Sequence, residues 1–191
     1  MPVNLDTLRA QPLSLIAPAT QTLADGGSIG VWRRQMETAI RRSQTAAYIA
    51  ATAERLKTTP ALIKGLSKAE RKELDARIDA QLKYLDGFAA DLKQGKLTMA
   101  QAQARANLYP GATRGTFYAT RYPGLSAVPG DGSTPCLGNC KCYLEAQGSK
   151  VYWRLTAAEH CAGCVSMAAG SPYPMVPRPP DVIQRFGSSK R

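Results

Sequence analysis

The sequence predicts an α+β protein in which an N-terminal helical region precedes a small Cys-rich module built on a β-hairpin, with extended arms at both termini. Apolar residues recur at three- and four-residue steps between residues 28 and 122, as they do in amphipathic helices. All five cysteines lie within residues 136–164. Proline and glycine are concentrated near both ends and after residue 122, where they interrupt regular structure.

The N-terminal part divides into an arm and a helical domain. Residues 1–27 are predicted to be an extended arm, because Pro2, Pro12 and Pro18 separate short apolar groups. A helical domain is predicted over residues 28–122, and its first helix runs from residue 28 to about residue 57. One face of that helix is apolar and the rest is basic: Trp32, Met36, Ile40, Ala47 and Ala50 against Arg33, Arg34, Arg41 and Arg42.

Two capping boxes mark the starts of the next helices. Ser67 followed by Glu70 predicts a second helix that continues to Gly95, a residue suited to the left-handed end of a helix. Thr98 followed by Gln101 predicts a third helix. Pro110 bends or restarts that helix, and helical character resumes to about residue 121.

The Cys-rich module is predicted over residues 123–170, since turn residues crowd the stretch that follows Tyr122. Residues 142–146 and 151–155 resemble strands, and the short polar segment between them predicts a β-hairpin. Residues 171–191 are predicted to be a Pro-rich arm with polyproline character. The prolines in question are Pro172, Pro174, Pro177, Pro179 and Pro180.

The cysteines and the single histidine point to a metal. Their order is Cys-x3-Cys-x-Cys, then a hairpin-length insert, then His-Cys-x2-Cys. Tetrahedral zinc needs four soft or borderline ligands, and two short clusters on either side of a hairpin supply them. A segment this small has little apolar area of its own, so metal binding would supply much of its folding free energy. We therefore predict a structural Zn²⁺ site.

Six side chains compete for four coordination positions. The candidate metal ligands, in order of preference, are Cys161, Cys164, Cys140, Cys136 and Cys142, with His160 last. His160 has an alternative role as a hydrogen-bonding partner of a ligand or as a turn cap. Two alternatives to zinc remain at this point, namely disulfides formed in an oxidising medium and uncommitted buried thiols.

Catalytic motifs are not recognisable. The Cys161–Cys164 pair lacks the βαβ context of a redox motif. A zinc deaminase would need a Cys-x2-Cys after the proline and an upstream His-x-Glu, and neither is present. Glu145 and Glu159 are the only carboxylates near the candidate site that could transfer a proton. We predict that the protein is not an enzyme.

The charge is large but evenly spread. Twenty-five basic against 14 acidic residues give a net charge of +11, which suits a polyanionic neighbour. Residues 1–66, 67–122 and 123–191 carry net charges of +4, +4 and +3. Basic charge is concentrated only in the last four residues and on the face formed by Arg33, Arg34, Arg41 and Arg42. Solvated helix faces therefore explain most of the charge. Neither a signal-peptide pattern nor an apolar stretch long enough for a bilayer is present, and we expect a protein of the cytoplasm without membrane contact.

Several motifs together resemble a known family. They are residues 83–89, 95–101 and 105–109 in the helical part, and residues 129–136, 139–142, 153–155, 159–164 and 170–172 in the Cys-rich part. These residues resemble the minor head proteins of tailed bacteriophages and prophages, in the Mu-F-like head-morphogenesis family. The Asn-Cys-basic-Cys element and the Cys-x2-Cys pair are its most specific features. In the wider family the pair precedes that element, whereas here it follows, which places this sequence in a subgroup.

The resemblance implies a structural virion protein of the head or portal-vertex region. Such a protein would act in head morphogenesis or stabilisation by contacting phage portal, coat or neck proteins, in multiple copies within a symmetric assembly. It would be assembled in the host cytoplasm and would end in the virion, where non-specific contact with packaged DNA is expected. The alternative is a zinc-containing nucleic-acid-binding protein in packaging or regulation, whose affinity would fall steeply with salt.

Overall fold

The computed structural model describes residues 4–176, which fold as an α+β protein with mostly helical content and a small antiparallel sheet. Its helices and strands, in chain order, are α1 Leu5–Ala24, α2 Ile29–Arg55, α3 Lys68–Leu82, α4 Leu85–Lys93, α5 Met99–Ala106, α6 Leu108–Arg121, β1 Tyr143–Gln147, β2 Lys150–Arg154, α7 Ala162–Ala169 and β3 Tyr173–Pro174. Within residues 4–176, none of the helices combines the length and the apolar character that crossing a bilayer requires.

The predicted first helix is α2, and its apolar face is buried as expected. Trp32, Met36 and Ile40 lie in a core that also contains residues of α1, α3, α4, α5 and α6. The Trp32 ring meets the Phe88 ring edge to face at a centroid distance of 5.3 Å, a favoured arrangement for aromatic pairs. This first core therefore belongs to the helical region alone.

The prediction of an extended arm over residues 1–27 is wrong, because residues 5–24 form helix α1. Pro12 and Pro18 lie inside that helix, and each costs about 3 kcal/mol in a helix interior. Burial offsets this cost, since Ile16, Ala19 and Leu23 are almost completely buried against the helical core. Tertiary packing therefore supports a helix that local propensity disfavours.

Both predicted capping boxes are present, but the predicted second helix is interrupted. Ser67 Oγ accepts from the Glu70 amide at 3.2 Å while Glu70 Oε2 accepts from the Ser67 amide at 2.7 Å. α3 ends at Leu82 and α4 begins at Leu85, and the break lets Leu85 and Phe88 enter the core. Gly95 ends the α4 region with a φ of 67°. The chain restarts at α6, whose first turn contains Pro110.

The predicted hairpin is formed by β1 and β2. Leu144 pairs with Trp153 and Ala146 pairs with Val151, and the turn between the strands uses Gly148 at a φ of 60°. β3 adds to the other edge of β2. The first residues of the predicted C-terminal arm therefore include a short strand, while residues 177–191 of that arm lie outside the described residues.

A second core joins the Cys-rich segment to the helices. Ala47, Ala50 and Ala51 of α2 lie in one buried cluster with Phe117 and Tyr118 of α6 and with the inner face of the hairpin. The inner-face residues are Leu144, Val151 and Trp153. α6 ends at Arg121, where the predicted boundary falls, but packing continues across that point.

Two glycines of α6 allow the loop before the hairpin to approach closely. A Cβ atom on Gly111 would overlap the carbonyl oxygen of Gly138. A Cβ on Gly115 would lie 2.7 Å from the Cα atom of Asp131, inside van der Waals contact. The close approach therefore depends on the absence of a side chain at these positions.

Gly111→Ala should lower the free energy of unfolding by roughly 1–3 kcal/mol, because the added methyl group collides with backbone that cannot rotate away. Gly87→Ala is the matched control, since the space around Gly87 in α4 is open. It should raise stability by about 0.5–1 kcal/mol through helix propensity. Urea unfolding monitored by circular dichroism measures both variants, and equal effects would contradict the close approach.

Candidate metal centre

Three stretches of chain bring the candidate ligands together. Cys136, Cys140 and Cys142 lie in the loop that leads into β1, with a 3-10 turn at Leu137–Asn139 between the first two. His160 follows β2, and Cys161 and Cys164 lie at the start of α7. Cys161 is the N-cap residue of α7, and its Sγ accepts from the Cys164 amide at 3.5 Å. The helix start therefore fixes the Cys-x2-Cys pair.

Cys164 is the common member of the cluster. Its Sγ lies 3.4 Å from the Sγ of Cys136 and 3.6 Å from the Sγ of Cys140. Zinc–sulfur bonds of about 2.3 Å place the sulfurs of a tetrahedral site roughly 3.8 Å apart. Among residues 4–176 two groups of three sulfurs lie within 4.8 Å of one another, and both include Cys164. Their members are Cys136, Cys161 and Cys164, and Cys140, Cys142 and Cys164.

The His160 ring lies against the second group. Its Nδ1 is 3.3 Å from the Sγ of Cys142, and its Nε2 is 3.0 Å from the carbonyl oxygen and 3.1 Å from the amide nitrogen of Thr156. A proton on Nε2 would be donated to that carbonyl and would leave Nδ1 a lone pair, but the Thr156 amide, which donates to Nε2, would then lose its acceptor. A proton on Nδ1 lets Nε2 accept from the amide and lets the ring donate to the Cys142 sulfur. His160 therefore fits the hydrogen-bonding role that the sequence suggested better than the ligand role.

Burial separates the sulfurs into an inner and an outer set. Cys140, Cys142 and Cys164 are buried, whereas Cys136 and Cys161 are half-buried. Desolvation raises the pKa of the Cys140 thiol to about 12 and also raises the pKa of Cys164. Cys161 Sγ accepts a hydrogen bond from the Cys164 amide, and this bond lowers the pKa of Cys161 to about 7. A bound cation would deprotonate the thiols that coordinate it.

Neighbouring side chains hold this loop in position. Arg114 of α6 donates from Nη1 to the carbonyl oxygens of Cys140 and Cys142, at 2.9 and 3.3 Å. The Thr134 hydroxyl lies 3.2 Å from the Sγ of Cys136. Sequence spacing could not reveal Arg114, because it precedes the first cysteine by more than twenty residues and belongs to another helix. The only sequence signal for Thr134 is that it lies close to Cys136 in the chain.

The structure thus brings together all five predicted cysteines, and this cluster could bind a metal ion. His160, the last of the candidates, lies beside Cys142. The cysteines are free thiols. Glu145, one of the two carboxylates considered earlier, pairs with Arg154 at 2.7 Å, and this ion pair lowers the pKa of its carboxyl. Its carboxylate is therefore engaged on the hairpin.

The basic face of α2 is partly neutralised. Arg33 pairs with Asp86. Arg41 lies 2.9 Å from a carboxylate oxygen of Glu37 and within 4 Å of carboxylates of Asp75 and Asp79. These contacts use two of the four arginines within the fold, which weakens the one concentrated basic face that the helical region offered.

No family model matches the chain, and neither the curated proteins nor the solved structures contain a match to it.

Arg114→Ala should speed the release of a bound metal ion about 10-fold or more, because the loop that carries Cys140 and Cys142 loses its anchor on α6. Arg42→Ala, on the exposed side of α2, is the control and should leave the rate unchanged. Protein loaded with Zn²⁺ and mixed with a chromogenic chelator gives the rate directly. Equal rates for the two variants would show that the anchor does not support the cluster.

Proposed function

We propose that this chain is a non-enzymatic structural protein of a tailed-phage head or portal vertex, in which Zn²⁺ fixes the Cys-rich segment for contacts with portal, coat or neck proteins. The observation that carries the proposal is the convergence of the five cysteine sulfurs in two compact groups that share the buried Cys164, with His160 beside the Sγ of Cys142. The phage assignment draws on the motifs quoted in the sequence analysis.

Zinc fits the donor set. Thiolates and imidazole are its usual ligands in structural sites, which are closed and tetrahedral. The Sγ distances of 3.4 and 3.6 Å around Cys164 are close to a tetrahedral edge. The four ligands of the ion would be drawn from Cys136, Cys140, Cys142, Cys161, Cys164 and His160. When bound, Zn²⁺ supplies a cross-link between chain segments.

Without a bound metal ion, the Cys-rich segment has no cross-link between its parts. The sheet has three strands, and one of them contains two residues. Its apolar side chains, such as Leu144 and Trp153, are buried largely by contact with α2 and α6. The free energy of metal binding would add to the folding free energy of such a segment. Metal binding would therefore determine whether its surface is ordered.

The ordered surface carries apolar side chains suited to a partner. Tyr143 on β1 is 43% exposed, and Val165 on α7 is 49% exposed. Leu137, in the loop between α6 and β1, is 47% exposed. Exposed apolar side chains of this kind are available for contact with a partner protein. The ion pairs of Arg33 and Arg41 weigh against the nucleic-acid alternative.

The test is the content of the particles. Mass spectrometry of purified virions or proheads of the encoding phage should find this chain together with the portal protein. A phage carrying Cys164→Ser should yield heads that lack the chain and an infectious titre lowered at least 10-fold. Ser166→Ala, on the exposed side of α7, is the control and should leave both unchanged.

Particles without the chain, made at full titre, would contradict the proposal. Retention of the purified protein on DNA, with an affinity that falls steeply as salt rises, would instead favour the nucleic-acid alternative.

A further inference from the structure

We propose that the cluster binds two metal ions that share the Cys164 thiolate as a bridge. An outer ion would be held by Cys136, Cys161 and Cys164. An inner ion would be held by Cys140, Cys142 and Cys164. This inference rests on the proposed metal site and deepens it, since it concerns how many ions the site takes and which residues hold each.

The arrangement of the sulfurs carries the inference. In the described part of the chain, each compact group contains three sulfurs, and Cys164 is the only member of both. A single tetrahedral ion has four positions, so it would leave one of the five thiols uncoordinated. With two ions, each group supplies its own ion and the shared sulfur contacts both. All five cysteines then have a ligand role.

Burial makes the inner site the closed one. Cys140, Cys142 and Cys164 are buried, and thiolates are usual ligands of structural zinc. The Nδ1 of His160 lies 3.3 Å from the Sγ of Cys142, where the ring can donate a hydrogen bond to that sulfur.

The outer ion has three protein ligands. Cys136 and Cys161 are half-buried, so its fourth position can be filled by a water molecule from solvent. The Thr134 hydroxyl, 3.2 Å from the Sγ of Cys136, can donate a hydrogen bond to that sulfur. The two sites therefore differ in exposure, and the outer ion should exchange faster.

Charge also balances better with two ions. Five thiolates carry five negative charges, and two divalent ions reduce that total to a single negative charge. As each metal–sulfur bond forms, the thiol proton passes to the buffer. One ion bound by four thiolates would leave two negative charges and a fifth, buried thiol beside them. The Arg114 side chain, tied to two backbone carbonyls of the cluster, adds one nearby positive charge.

Native mass spectrometry of the untagged full chain, titrated with Zn²⁺, gives the stoichiometry. We expect two ions per chain for the wild type. Cys136→Ser and Cys142→Ser should each retain one ion, because each removes a ligand of one site only. A wild-type chain that saturates at one ion would overturn the bridge and leave the proposed structural zinc site intact. A chain that binds none would overturn both.

Cobalt titration of the wild type tests the bridge without a variant that could fail to fold. The paramagnetic resonance signal of Co²⁺ should grow up to one equivalent and then fall as the second ion couples to the first through the shared sulfur. A signal that doubles in proportion to the second equivalent would mean two separate sites, which would contradict the bridge. A signal that stops changing after one equivalent would contradict the second ion.

Discussion

The Sγ atom of Cys164 lies where two stretches of the Cys-rich segment meet. It is buried within reach of sulfurs from the loop before β1, and it belongs to the first turn of α7. The loop is also bound to α6 through Arg114 and through the close approach of Gly111 to Gly138. The buried Cys164 side chain therefore links α7 to a loop that is itself anchored on the helices.

α2 connects that point to the rest of the molecule. Its N-terminal half contributes Trp32 and Met36 to the first core, and its C-terminal half contributes Ala47 and Ala51 to the second. The small alanine side chains let the aromatic residues of α6 and the hairpin lie close to the helix axis. The first core contains no residue of the Cys-rich segment, so helical packing does not require the metal cluster, whereas the segment requires the helices.

Much of the fold could be predicted from local patterns. The apolar periodicity of α2, the capping boxes at Ser67 and Thr98, and the hairpin all express local physical preferences, and the structure contains each of them. α1 could not be predicted, since its prolines argue against a helix and its stability comes from tertiary burial of residues such as Ile16. The break between α3 and α4 has the same origin, because it serves the packing of Leu85 and Phe88.

The members of the cluster could be predicted from the sequence, but their positions relative to one another could not. Spacing identified the five cysteines and His160 as candidates, yet only the fold shows that Cys164 is shared by two groups. His160, placed last from the sequence, lies as near to a sulfur as the cysteines do to one another. Arg114 acts through a helix distant in the chain, which no local pattern encodes.

The central claim is that metal binding orders the Cys-rich segment on a helical scaffold that is stable without it. Hydrogen–deuterium exchange, read by mass spectrometry before and after chelation, tests this claim directly. The account predicts that amides of β1, β2 and α7 lose their protection when the metal is removed, whereas amides of α3, α4 and α5 retain theirs. Unchanged protection of the hairpin, or an equal loss throughout the chain, would contradict it.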